Sequence, residues 1–202
     1  MIFPFRHFLL LVFILIKVSS VYGQRDSLML LFDERRISDQ KKGMLVLGSW
    51  SAGNILTGLA LNPKSAGEDA YFHQMNVLWN SVNLSIAALG YMHAKKEQRV
   101  SEPMSVLEKQ LKLEKSLLFN TGLDLAYIAT GALLLERSRT IESLKKHNQY
   151  RGYGRSIVLQ GSFLLLFDLS FYLVESASSK ELNEALKLIY ATPNSIGIQK
   201  SF

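Results

Sequence analysis

Four stretches of the chain consist almost entirely of uncharged residues. They cover residues 44–62, 70–94, 116–135 and 156–174, and each is 19 to 25 residues long. A helix needs about 20 residues to cross the hydrocarbon core of a bilayer. A helix in a soluble bundle carries lysine and glutamate on its outer face, whereas the central turns of these stretches have neither. The pattern therefore predicts four transmembrane helices, and the alternative is a soluble helical bundle.

The polar and small residues within these stretches recur at helical spacing. In the second stretch they are His73, Asn76, Asn80, Asn83, Ala87 and Gly90. The other stretches have comparable stripes, which are formed by Trp50, Asn54 and Thr57, by Asn120, Asp124, Tyr127 and Gly131, and by Gly154, Gly161, Asp168 and Glu175 with Gln160 at the edge. Lipid tails cannot hydrogen-bond an amide, so the stripes should face one another. The expected fold is an all-α, four-helix transmembrane bundle with a polar seam.

Turn and cap signals mark the connections between the stretches. Pro63 and Gly67 are expected to end the first helix. Pro103 is expected in the first turn of the third helix, which then continues without a break into residues 116–135. The glycines of the sequence RGYG, at 151–154, are expected to break the chain before the fourth helix.

A short amphipathic helix is expected near the C-terminus. Ser178 and Glu181 have the spacing of a capping box, which marks a helix start. Leu182, Leu186 and Ile189 would then lie on one face. Such a face suits a membrane surface or the side of the bundle.

The first 23 residues have the plan of a secretory signal peptide. Arg6 follows the amino terminus, residues 8–16 form a short apolar run, and Val21 and Gly23 stand at plausible recognition positions for cleavage. Lys17 is atypical there, so an uncleaved anchor is the alternative. The predicted organisation is a signal peptide over residues 1–23 and a single four-span domain over residues 24–202.

Composition narrows the class of protein further. The chain has no cysteine, which excludes disulfides, zinc–thiolate sites and thiol nucleophiles. Its net charge of +6 does not indicate nucleic-acid binding, because lysine and arginine lie between the apolar stretches instead of forming a basic patch among aromatic residues. No hydrolase, metalloprotease or phosphate-loop motif is present, so neither an enzyme nor a cofactor is expected.

Two topology signals disagree. With four spans, the segments 24–43, 95–115 and 176–202 share one side of the membrane and hold 14 lysines and arginines, against 7 on the other side. The positive-inside rule places the 14 in the cytoplasm. The signal peptide places the same side outside, and we expect it to dominate because it emerges first.

Two carboxyl groups near the middle of spans are the main candidates for chemistry. No span contains a lysine or arginine that could pair with Asp124 or Asp168. Each is therefore either a buried neutral acid that donates one hydrogen bond, or part of a midplane cluster that binds a proton, an ion or a small polar ligand. The candidate ligand- or ion-binding residues are Asn54, Asn76, Asn80, Asn83, Asn120, Asp124, Tyr127, Gln160 and Asp168.

Four segments together resemble a known kind of protein. They read GSWSAGNILTG, FHQMNVLWNSVNLSIAALG, NTGLDLAYIATGALL and GYGRSIVLQGSFLLLFD. The combination is similar to an uncharacterised family of small bacterial multi-pass membrane proteins, of the kind found in Bacteroidetes-type genomes. The resemblance implies a domain of unknown function and assigns no catalytic residue.

These observations predict a non-enzymatic protein of a bacterial inner membrane. It would be a structural module, or one that binds a ligand or another membrane protein, with the lipid bilayer as its first partner. The alternative function is a small transporter or a proton- or ion-conducting protein that uses Asp124 and Asp168, and an intramembrane enzyme is the third hypothesis. A dry, close-packed seam would favour the first function, and a wet path to the carboxyl groups would favour the second.

Overall fold

The computed structural model describes the backbone of residues 5–191 and the side chains of residues 23–62 and 64–190. Four helices make up nearly all of it: α1 (Phe5–Leu61), α2 (Gly67–Lys96), α3 (Pro103–Ser138) and α4 (Leu144–Ala191). A single 3₁₀ turn, Asn62–Lys64, links α1 to α2. The expected all-α four-helix fold is confirmed. The side chains of residues 1–22, which belong to the expected signal peptide, lie outside the described part of the structure.

The helix boundaries follow the turn and cap signals at two connections. The chain leaves α1 through the 3₁₀ turn and enters α2 at Gly67, whose φ of +60° is a conformation that favours glycine. Glu102 caps α3 by accepting hydrogen bonds from the backbone N–H groups of Met104 and Ser105. A hydrogen bond with the side chain of Ser105 is the largest cause that holds the pKa of Glu102 below its ordinary value.

Two expectations for the last third of the chain are wrong. The glycines at 151–154 do not break the chain, because α4 begins at Leu144 and runs through them. They serve a close approach instead: a Cβ atom on Gly152 would collide with the backbone of Glu68 and Phe72 in α2. The amphipathic face of 178–189 is present, but it is the last part of α4 and not a separate helix. No glycine or proline lies between Ser162 and Ala191 to end α4 earlier.

The four helices pack as two antiparallel pairs, α1 with α2 and α3 with α4. The two pairs meet mainly where α2 packs against α4, and these two helices run in the same direction. Close packing between α3 and α4 depends on glycine. A Cβ atom on Gly131 would lie 2.8 Å from the Gly154 carbonyl oxygen, and one on Gly161 would lie 3.2 Å from the Asp124 carbonyl oxygen. Small residues of this kind let helix backbones approach one another.

Three helices extend past the level of the uncharged stretches and form a separate layer. This outer layer comprises residues 24–43 of α1, residues 97–115, which form the α2–α3 connection and the start of α3, and residues 175–190 of α4. Its core is apolar and consists of Met29, Val106, Leu182 and Leu186, with Phe32, Val100, Leu107 and Ile189 packed around it. The face predicted for Leu182, Leu186 and Ile189 therefore packs on the bundle.

Three of the described helices are long and apolar enough to cross a membrane. They are Gly23–Leu61, Pro103–Ser138 and Leu144–Tyr190. Helix α2 is less apolar than these because it contains three asparagines and two histidines. The asparagines Asn76, Asn80 and Asn83 are all buried in the bundle.

Candidate functional site

Five polar side chains from three helices form one hydrogen-bonded group in the polar seam, which we call the amide network. Its members are Trp50 and Asn54 from α1, Asn76 from α2, and Ser156 and Gln160 from α4. The two members in α1 are four residues apart, as are the two in α4, so each pair lies on one face of its helix. The network therefore joins α1, α2 and α4 at one level of the bundle.

Gln160 is the centre of the amide network. Its Nε2 donates to the Oδ1 atoms of Asn76, at 2.8 Å, and Asn54, at 3.3 Å. Its Oε1 accepts a hydrogen bond of 2.9 Å from the indole Nε1 of Trp50. Because Gln160 is fully buried, these bonds replace all the hydrogen bonds it would make with water.

The two asparagines complete the network. Asn76 Oδ1 also accepts from the hydroxyl of Ser156 at 2.8 Å, and Asn76 Nδ2 donates to Asn54 Oδ1 at 3.3 Å. Asn54 Nδ2 donates to the backbone carbonyl oxygen of Trp50 at 2.9 Å. The contacts between different helices run directly from side chain to side chain. At this level the seam is closely packed, which is the arrangement expected of residues that hold helices together.

A second group of polar residues lies closer to the C-terminal end of α4, and we call it the acid layer. It consists of Asn80, Asn83, Asp124 and Asp168, all of which are buried. The carboxyl groups of Asp124 on α3 and Asp168 on α4 lie close enough to interact, so this layer brings the two helices together.

The structure separates residues that the sequence suggested would form one midplane cluster. Asn54 bonds to Asn76 and Gln160, whereas Asp124 contacts Asp168. Gln160 and Asp168 are eight residues apart on α4, which corresponds to about 12 Å along the helix axis. Asn54, Asn76 and Gln160 therefore lie in the amide network, whereas Asp124 and Asp168 lie with Asn80 and Asn83 in the acid layer.

The remaining candidate residues have more local roles. Asn80 Nδ2 donates to the backbone carbonyl oxygen of Asn76 in its own helix, at 2.8 Å. Tyr127 packs edge-on against Trp79, with ring centroids 4.9 Å apart, and so connects α3 to α2. Asn120 is half-buried on α3 and belongs to neither layer.

Sequence reasoning placed Trp50 in the stripe of the first stretch but did not include it, or Ser156, among the candidate site residues. Both could have been found, since Ser156 lies four residues before Gln160 and Trp50 four residues before Asn54. Trp50 also stacks on Phe163, with ring centroids 3.9 Å apart. Its indole is therefore held both by the ring of Phe163 and by the amide of Gln160.

The donors and acceptors of the two layers suit hydrogen bonding. In the part of the chain that the structure describes, no group of three or more His, Cys, Asp or Glu side chains could hold a metal ion. The amide network provides matched donors and acceptors. The acid layer leaves Asn80 Oδ1, Asn83 Nδ2 and Asp124 Oδ2 buried without a protein partner.

Residues 46–169 match a family of unknown function (DUF6992), and the match covers more than half of the chain. It begins just before Trp50 and ends just after Asp168, so it includes both polar layers. No curated protein matches the chain. No solved structure matches it either.

Proposed function

Because the chain belongs to this family of unknown function, its role has to be inferred from its own residues, and we propose that it is an integral membrane protein whose polar seam holds four transmembrane helices together. In this proposal it acts as a structural or binding module for another membrane component. The observation that carries the proposal is a reversed distribution of polarity: at the level of the seam, amides and carboxyl groups are inside and leucines are outside.

The outward faces of all four helices support this proposal. At the level of the seam, the following large apolar residues are exposed: Leu56, Leu59, Leu78, Val82, Ile86, Leu89, Leu118, Phe119, Leu133, Leu166 and Leu173. Leu56 and Phe119 are exposed by 68% and 69%. Soluble monomers rarely expose apolar surface of this extent, whereas lipid solvates it without cost.

The same argument includes α2 as a fourth span, although α2 is not among the three described helices with a stretch apolar enough to cross a membrane. Its asparagines lower its mean hydropathy, but they are buried, and its exposed positions include Leu78, Val82 and Leu89. What lipid contacts is the exposed face of a helix and not its average composition. Helix α2 has 30 residues, or about 45 Å, which exceeds the ~30 Å of a hydrocarbon core.

The amide network favours a structural role over transport. Its members bond directly to one another, and Asn76, Ser156 and Gln160 are almost completely removed from solvent. Interhelical hydrogen bonds of this kind contribute up to about 1–2 kcal/mol each in a membrane. Among the described residues, nothing favours the transport function over this one.

The first experiment tests membrane integration. The full chain should remain in the membrane pellet after extraction with alkaline carbonate, because the exposed leucines require lipid. A peripheral protein that is known to be released under the same conditions provides the control. Recovery of a soluble, monodisperse chain without detergent would contradict the proposal.

The second experiment tests the seam. Gln160→Leu should destabilise the detergent-solubilised protein by about 1–3 kcal/mol, because the indole N–H of Trp50 loses its acceptor and Asn76 and Asn54 each lose one donor. Leu159→Ala is the matched control, since Leu159 is the preceding residue and is 40% exposed. Equal thermal midpoints for the two variants would show that the amide network does not hold the helices together.

We further propose a bacterial inner membrane as the location, with insertion through the N-terminal signal sequence and the outer layer outside the cytoplasm. The support is the order of charged and apolar residues over 1–23. A reporter that is active only in the cytoplasm, fused after Phe202, should then be silent. An active reporter would show that the count of lysine and arginine residues governs orientation.

A further inference from the structure

We propose that the acid layer holds one internal water molecule, which bridges Asn83 of α2 to Asp124 of α3. This inference goes beyond the proposed function, because it assigns a bound ligand to a part of the seam that protein contacts leave incomplete. It begins from two atoms. Asn83 Nδ2 and Asp124 Oδ2 are both buried and have no partner in the protein.

These two atoms lie at the same level of the bundle. Helices α2 and α3 run in opposite directions, and the contact between Trp79 and Tyr127 fixes their register. Asn83 comes four residues after Trp79, and Asp124 comes three residues before Tyr127. In antiparallel helices both steps lead the same way along the bundle, by about 6 Å and about 4.5 Å.

The two side chains do not bond to each other directly, since neither Asn83 Nδ2 nor Asp124 Oδ2 has a partner in the protein. Helices α2 and α3 lie diagonally opposite each other, and within the described residues no Cα atom of α2 comes within 8 Å of a Cα atom of α3. The large rings of Trp79 and Tyr127 span this diagonal. The side chains of asparagine and aspartate are shorter, and a water molecule between them would complete two hydrogen bonds of about 2.9 Å each.

The unpartnered atoms determine the chemical class of the bridging molecule. It must accept a hydrogen bond from an amide nitrogen, Asn83 Nδ2, and also interact with a carboxyl oxygen, Asp124 Oδ2. A bare cation cannot accept a hydrogen bond, whereas water can both donate and accept. Asn80 Oδ1, one turn away on α2 and also unpartnered, offers a third partner. Three hydrogen bonds are typical of a buried water molecule.

The bridging water would also complete the surroundings of the Asp124 carboxyl group. Asp168 of α4 lies beside that group, and the water would give its Oδ2 atom a partner. The polar contacts would then extend from α4 through α3 to α2. The acid layer would therefore connect three helices, as the amide network does, but through a solvent molecule.

Water-edited solid-state NMR on the full chain in lipid bilayers tests the proposal. With ¹⁵N-labelled asparagine, magnetisation should pass from water to the Asn83 side-chain nitrogen at short mixing times. Asn76 is the internal control, because it lies on the same helix and its amide bonds directly to protein atoms. The Asn83→Leu variant identifies the signal by removing it.

Two variants of Asp124 sharpen the result. Asp124→Asn keeps a group that can bond to water, so the transfer to Asn83 should persist, whereas Asp124→Leu should abolish it while the signal of Asn76 is retained. Equal, slow transfer to Asn83 and Asn76 would overturn the proposal, as would a direct nitrogen–carbon dipolar contact between Asn83 and the Asp124 carboxyl group. A signal that appears only with sodium and not with choline in the buffer would identify a cation, and would also overturn it. Whether the protein stays in the membrane pellet after carbonate extraction does not depend on any of these NMR results.

Discussion

The part of the bundle at the level of the polar seam and the outer layer share three helices but have opposite interiors. In the first, the buried residues include Asn76, Asn80, Gln160 and Asp168, and leucine is exposed. In the second, the core is Met29, Val106, Leu182 and Leu186, and charged residues are exposed. The helical backbone is continuous through both. Under the proposed function, lipid surrounds the first part and water the second, since polar groups gain by facing inward in lipid and apolar groups gain by facing inward in water.

Besides its apolar core, the outer layer buries several polar side chains, and two of them, Asp33 and Arg36, belong to an ion-pair network. Arg36 donates to Asp33 at 2.7 Å and to Glu97 at 2.7 Å, and Lys109 pairs with Glu97 at 3.0 Å. Asp33 also accepts a hydrogen bond from the backbone N–H of Val100, at 2.9 Å. This network fastens the connection between α2 and α3 to α1. Every charge in it has a partner, which is what a buried charge requires.

The largest effect is expected where the outer layer buries charge. Arg36→Met should destabilise the protein by about 3–5 kcal/mol, because Asp33 would remain buried without its cation. Thermal or denaturant unfolding in detergent measures this. The adjacent Arg35→Met is the control: Arg35 pairs with Glu181, both side chains are about half exposed, and a loss below about 1 kcal/mol is expected. Similar losses in both variants would mean that the burial of Arg36 has no energetic consequence.

The next effect compares two leucines. Leu182→Ala should cost about 2–5 kcal/mol, since Leu182 is 1% exposed in the outer core and its loss leaves a cavity. Leu133→Ala removes the same atoms from a position that is 69% exposed at the level of the seam, and little change is expected in detergent. The difference between the two changes in unfolding free energy measures how much more a leucine contributes when it is buried in the outer core than when it is exposed at the level of the seam. If Leu133→Ala is the more damaging substitution, the outward face of α3 is covered by protein.

Close packing of α3 against α4 gives a third prediction. Gly131→Ala should destabilise the bundle by about 1–3 kcal/mol, because the new methyl group meets the backbone of Gly154 and Val158. Gly122→Ala, on the same helix, has open space around the added atom, and alanine favours the helix by about 1 kcal/mol. The two variants should therefore shift the thermal midpoint in opposite directions. A shift of the same sign would indicate that Gly131 is not at a helix contact.

The smallest expected effect is a dependence on pH. Burial disfavours the charged form of Glu97, but hydrogen bonds from Arg36 and Lys109 outweigh it and hold its pKa below the ordinary 4.5. A carboxyl group with a lowered pKa contributes stability that is present above the ordinary value and is lost as the pH falls through the lowered one. Unfolding measured below pH 4.5 should show this loss, and Glu97→Gln should reduce it. An unchanged acid profile in the variant would assign the loss to other carboxyl groups.

The pattern of charged and apolar residues predicted the four helices and the residues that face inward, because those follow from helical periodicity. It did not predict which inward residues meet. Asn54 and Asp168 were expected in one cluster, and the structure separates them because the relative shift of the helices depends on close contacts such as Gly152 against α2. The apolar face of residues 182–189 was predicted, but its continuity with α4 was not, since a capping-box sequence within a longer helix resembles a helix start.

The continuity of α4 has a mechanical consequence. It is one helix of 48 residues without an internal proline, so it is about 72 Å long and runs from the α3–α4 connection, through both polar layers, into the outer layer. At one end Arg151 and Arg155 pair with Glu68 near the start of α2, and at the other Glu181 pairs with Arg35. Such a rod behaves as a lever: a tilt of about 5° about one end displaces the other by about 6 Å, given the rise of 1.5 Å per residue. A partner that pushes on the outer layer would therefore also move the opposite end of the bundle.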